Sequence, residues 1–130
     1  MELTVGMTGT AATAVTRDNT AAAVGSGDLE VFATPMMAAL MEQAAAAAIR
    51  PALAAGKTWV GTSLQLSHNS ATPVGMKVEA VATVTKVEGS RVEFSVTARD
   101  DAGEIGSGTH TRVVVDSARF LEKTVAKAGA

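Results

Sequence analysis

The segment PMMAALMEQAAAAAIR (35–50) is apolar on nearly every side of a helical wheel. A helix of that kind does not lie on a surface; the rest of the chain has to bury it on most of its faces. Thr34-Pro35 marks its start, threonine being suited to cap the helix and proline to its first position. Pro51 disfavours continuation and Gly56 closes the region. A short chain that must cover a long helix on all sides has few folds open to it.

The remaining segments supply that cover as strands. Residues 9–17 alternate loosely. Residues 18–28 are small, polar and glycine-containing, and read as a surface loop or lid. Four stretches after the helix alternate as strands do. In 57–67, Val60, Leu64 and Leu66 share a face; in 76–87, Val78, Ala80, Ala82 and Val84 do so. The row Val92, Phe94, Val96, Ala98 in 91–99 is the cleanest, and 104–115 completes the set. Short turns at Gly89 and Asp100-Asp101-Ala102-Gly103 make the last three an antiparallel meander. The expectation is an α+β fold, one antiparallel sheet wrapped around a central helix. It forms a single domain over 1–130, with its core at about 9–116 and a short terminal helix at 117–126. Only Phe32, Trp59, Phe94 and Phe120 are aromatic. The core is therefore built from small side chains, which favours close packing of elements or a core shared with a second subunit; an alanine-rich lineage accounts for the composition equally well.

The formal charge is −2 and the basic residues are scattered, so no nucleic-acid surface is expected. The absence of cysteine removes disulfides, thiolate metal sites and thiol nucleophiles. No signal-peptide pattern opens the chain. The longest apolar run, 36–49, is too short to span a bilayer and contains Glu42. A cytoplasmic protein without membrane attachment is the expectation.

Three residues stand out chemically. Glu42 sits among Ala38, Ala39, Ala45 and Ala46 on the buried helix. It is either a carboxylate held for acid–base work or one that reaches solvent beside Gln43. His68 ends the strand bearing Leu64 and Leu66 and counts onto their inward face, as a proton-transfer group or as a satisfied core histidine. Thr34 is explained as a cap, although a helix N-terminus also gathers free N–H groups that suit an oxyanion. Gly61 lies inside a strand, where glycine marks a bulge or a close approach. His110 and Arg112 share a face of the last strand that reads as solvated. Two histidines without cysteines give weak grounds for a metal, and no phosphate-loop, dinucleotide, zincin or serine-elbow motif occurs.

Taken together, VFATPMMAALMEQA (31–44), LSHNSATPVG (66–75) and EIGSGTHTR (104–112) resemble the fluoroacetyl-CoA thioesterase family of hot-dog proteins. The resemblance runs from about Val31 to Val115. It implies a hot-dog fold and hydrolysis of an acyl-CoA thioester to a free acid and CoA. Thr34, Glu42 and His68 fall on the family's catalytic positions, and Gly61 and Arg112 on positions tied to substrate binding. It also implies a homodimer or dimer of dimers, and no cofactor beyond the CoA of the substrate. The family's aromatic-containing lid has no counterpart here: RDNTAAAVGSGDLE (17–30) carries no aromatic residue. Fluoroacetyl specificity is therefore not implied. A hydratase or dehydratase on the same fold, or a non-catalytic acyl-CoA-binding module, would share the architecture.

Overall fold

The computed structural model describes residues 2–129. Strand β1 (Thr8–Ala14) is followed by a short helix α1 (Ala21–Val24) and the long helix α2 (Thr34–Ile49). Then come β2 (Lys57–His68), β3 (Lys77–Glu88), β4 (Arg91–Asp100), β5 (Gly103–Asp116) and helix α3 (Ser117–Ala126). The strands form one antiparallel sheet in the order β1-β3-β4-β5-β2, and α2 lies against it, closest to β1 and β3. This is the expected α+β arrangement.

The alternation in the sequence explains which face of the sheet meets the helix. Val78, Ala80, Ala82 and Val84 of β3 and Val92, Phe94, Val96 and Ala98 of β4 are all buried. They meet Met37, Leu40, Met41, Ala44, Ala45, Ala48 and Ile49 of α2 in one core. Along α2 only Thr34, Pro35 and Gln43 are exposed, as an all-round apolar helix requires.

The alanines of α2 have a packing reason. A Cβ placed on Gly9 of β1 would run into the backbone carbonyl of Ala44 and the backbone of Ala48, so strand and helix backbones touch with almost nothing between them. Backbone cannot move aside as a flexible side chain can. Gly9→Val is expected to cost about 1–3 kcal/mol or more, read as a lower urea midpoint; an unchanged midpoint would mean the contact has slack.

Four details differ from the sequence reading. The first strand ends at Ala14, and the expected loop over 18–28 holds structure. Thr16 and Asn19 form a reciprocal capping box around a single tight turn at Arg17–Asn19, and Thr20 caps α1 by accepting from the Ala23 N–H. Asn19 is buried and donates to the Ala14 carbonyl at 2.9 Å, which pins this segment to the end of β1. Pro51 sits within a tight turn at Arg50–Ala52 that extends α2. Finally, the register of β2 against β5 shifts between Gly61 and Ser63. The extra residue reverses the parity, so Trp59 and Gly61, rather than Val60, share the inner face with Leu64, Leu66 and His68.

Candidate active site

Two groups of polar side chains lie between α2 and the β2–β5 half of the sheet. The first joins Thr34 to His68. Thr34 is expected to cap the helix, but Ala33 takes the cap position in extended conformation and no side chain caps this end. The Thr34 hydroxyl is thereby free for a different partner, the His68 Nδ1 atom at 2.7 Å. His68 is half-buried at the end of β2, and burial pushes its imidazole below the ordinary 6.5, with the Ser70 backbone offsetting part of the effect. Its Nε2 is buried without a hydrogen-bond partner. A recess of about 240 Å³ lies here, lined by Phe32, Thr34, His68, Asn69 and Ser70 among others.

The second group centres on Glu42. Its Oε2 lies 3.7 Å from the Arg112 Nη1, with the Arg112 side chain 12% exposed and that of Glu42 45%. The alanines around Glu42 thus leave it half open rather than enclosed. Gly61 faces it closely: a Cβ there would stand 2.6 Å from Glu42 Oε2 and 3.1 Å from His110 Cε1, so any larger residue would make the Glu42 side chain shift. Arg112 is further held by donation from Nη2 to the Trp59 carbonyl at 3.2 Å.

The face of β5 that reads as solvated is in fact buried. His110 lies opposite Phe94 in the β4–β5 register, is 2% exposed, and stacks on the Phe94 ring at 5.8 Å between centroids. Its neighbours determine its tautomer. The Ser63 carbonyl, 2.8 Å from Nδ1, can only accept, so Nδ1 carries the proton; Nε2 then accepts from Arg112 Nη1 at 3.3 Å. Burial, foremost, lowers the pKa of His110, and the Arg112 charge acts in the same direction. A neutral His110 braces Arg112. Sequence reasoning missed this role because it depends on cross-strand register, which periodicity within one strand does not contain.

These shifts have a consequence for stability. His68 and His110 bind a proton less readily folded than unfolded, so acidification below about 6.5 favours the unfolded chain. A second loss comes lower, through Asp100. Its carboxylate accepts from the Thr72 hydroxyl at 2.7 Å and the Ala102 N–H at 2.8 Å, bonds that hold its pKa below 3.8. The melting temperature is expected to fall in two steps from pH 7 to pH 3. A His110→Gln variant is expected to flatten the upper step; an identical profile would remove His110 as its source.

The two groups are not one cluster within a chain. Positions 34 and 42 are separated by ~12 Å along the axis of α2, and positions 61 and 68 by ~23 Å along β2. Among the described residues no three His, Asp or Glu side chains gather as a metal site, and no helix is long and apolar enough to cross a membrane.

Known proteins resemble this chain in sequence and in fold. The sequence model of the fluoroacetyl-CoA-specific thioesterase family matches residues 15–118. A fluoroacetyl-CoA thioesterase from Streptantibioticus cattleyicolor is 44% identical over 94 residues, covering 72% of this chain and 68% of its own length. The solved structure of a point mutant of a fluoroacetyl-CoA-specific thioesterase, in complex with fluoroacetate and CoA, superimposes with a TM-score of 0.85 at 36% identity, covering 91% of this chain and 99% of that one. A hot-dog-like protein from Thermanaerovibrio acidaminovorans gives a TM-score of 0.86 at 28% identity, over 97% and 93% of the two chains.

Proposed function

The chain belongs to the fluoroacetyl-CoA-specific thioesterase family, and from that premise we propose that it hydrolyses an acyl-CoA thioester to the free acid and CoA at a site formed by Glu42, His68 and Thr34. The observation that carries this reading is the Glu42 carboxylate, half open and faced by a glycine, with a buried guanidinium beside it.

The chemistry follows from the groups present. Glu42 either takes a proton from the attacking water or attacks the thioester carbonyl itself, giving an anhydride that water then opens. In both routes the C–S bond breaks and the electron pair leaves on sulfur. With His68 Nδ1 accepting from the Thr34 hydroxyl, the proton of a neutral imidazole resides on Nε2, directed to the thioester oxygen or the departing thiolate. Thr34 holds the ring in that orientation. Arg112, braced by His110, supplies positive charge where the carbonyl oxygen becomes negative. A thiolate is a good leaving group, and the mechanism uses no metal or cofactor. The reaction is assigned to the cytoplasm.

The site is completed by a second copy of the chain. β2 is a sheet edge, and edges offer unpaired N–H and C=O groups to another strand. Leu64 and Leu66 on its inner face are only half-buried, because α2 sits over the β1–β3 half of that face. Antiparallel self-pairing of β2 would extend the sheet, cover those leucines, and carry the partner subunit's His68 toward the Trp59–Gly61 end, where Glu42 and Arg112 wait. The recess at His68 is roofed by α1 and the small residues after it. A cover without aromatic side chains does not enclose a small acyl group tightly, so strict fluoroacetyl specificity is not proposed.

Thiol release from saturated acyl-CoAs, assayed beside hydration of an enoyl-CoA of the same length, tests the reaction class. Release from the first with the second unchanged is expected. Hydration without release would replace this reading with a hydratase, and tight binding with neither would leave a binding module.

A further inference from the structure

Arg112 also lines a second recess, to which Glu42, His68 and Thr34 do not contribute, and we infer that it is a subsite for a carboxylate at the far end of the acyl group. On this inference, which rests on the thioesterase reading, the preferred substrates are CoA monothioesters of short dicarboxylic acids.

Glu42, Ala46 and Arg50 follow one another on one face of α2, a turn apart. The recess begins beside this row. It measures about 170 Å³ and is lined by Ala46, Arg50, Leu53, Thr58, Trp59 and Arg112. Its charge is unbalanced: Arg50 forms no ion pair among the described residues, and Arg112 has only the distant contact with Glu42. The Arg50 charge is felt at Arg112, acting with burial to oppose its protonation. Two donors here are also buried without partners, the Trp59 Nε1 and the Arg112 Nε. Unpaired buried N–H groups are costly, so the interior beside the recess is short of acceptors.

The position determines which part of the substrate is meant. Arg112 is within 3.7 Å of Glu42, so a group held by Arg112 and Arg50 adjoins the reacting carbonyl. The phosphates of CoA are a full pantetheine arm away and cannot be that group. A purely apolar chain would have room in the adjoining hollow of about 470 Å³ behind Leu53 and Trp59, but it would leave the two guanidinium charges unbalanced. A carboxylate balances the guanidinium pair.

Trp59 is the only tryptophan, and the chain has no tyrosine, so intrinsic fluorescence reports this recess independently of turnover. Titration with succinate and with succinamide, its uncharged diamide, is expected to show succinate binding about tenfold tighter or more. Arg50→Gln should abolish the difference. In kinetics, kcat/KM for succinyl-CoA should exceed that for butyryl-CoA by about tenfold or more, falling toward parity in Arg50→Gln and in Trp59→Phe. Arg50 is exposed, so its variant should fold normally even if the tryptophan variant does not. Equal binding of succinate and succinamide, a preference that survives Arg50→Gln, or a preference for decanoyl-CoA would overturn the subsite. Glu42-dependent hydrolysis without a succinyl preference would sink the subsite alone. Arg50-dependent succinate binding with no thioester cleaved would sink the thioesterase reading alone.

Discussion

Glu42→Gln is expected to lower kcat by about 10²–10⁴-fold while the protein stays folded. The glutamine keeps the shape and the half-open position of the side chain, and loses only the ability to take a proton or form an acyl bond. The ion pair with Arg112 is long and its carboxylate 45% exposed, so losing it should cost about 1 kcal/mol or less in stability. A large kinetic effect with a small shift in the urea midpoint separates a chemical role from a structural one. Turnover within a few-fold of wild type would remove Glu42 from the mechanism.

The second expected result is activity recovered from two inactive proteins. If Glu42 of one subunit works with the partner subunit's His68, Glu42→Gln and His68→Ala should each be nearly inert. Mixed under conditions that allow subunits to exchange, half of the dimers would pair one variant with the other. Each of those holds one site with both residues intact and one with neither, so about a quarter of wild-type activity should return. If each site drew both residues from one chain, every site in the mixture would lack one of them, and nothing would return. The ~12 Å between positions 34 and 42 along α2 makes the shared site the stronger expectation, and the exposed edge of β2 supplies the means to build it.

The fold was legible where one period dominated. The rows Val92–Ala98 and Val78–Val84 could be assigned to a buried face from alternation alone, and the apolar wheel of residues 35–50 demanded a central helix; both rows, and the helix at Met37, Leu40, Met41, Ala44, Ala45, Ala48 and Ile49, are buried as expected. The reading failed where one residue changed the count or where two strands had to be compared. The bulge at Gly61–Ser63 exchanged Val60 for Trp59 on the inner face. His110, counted within β5 alone, reads as solvent-facing, whereas its place opposite Phe94 buries it. Thr34 was explained by capping, and that explanation hid its bond to His68, because Ala33 can begin a helix with its backbone alone. Glu42 was noticed for its alanine neighbours, but its guanidinium partner comes from a strand seventy positions further on. No local pattern connects the two.

The central claim is that this chain cleaves acyl-CoA thioesters through Glu42. Its most direct test is the rate of free thiol release when wild type and Glu42→Gln are each mixed with acetyl-, butyryl-, succinyl- and benzoyl-CoA. The account predicts multiple-turnover release by wild type from at least one of these, and a loss of about 10²–10⁴-fold in the variant. No release from any of them, or equal release by both proteins, would contradict it.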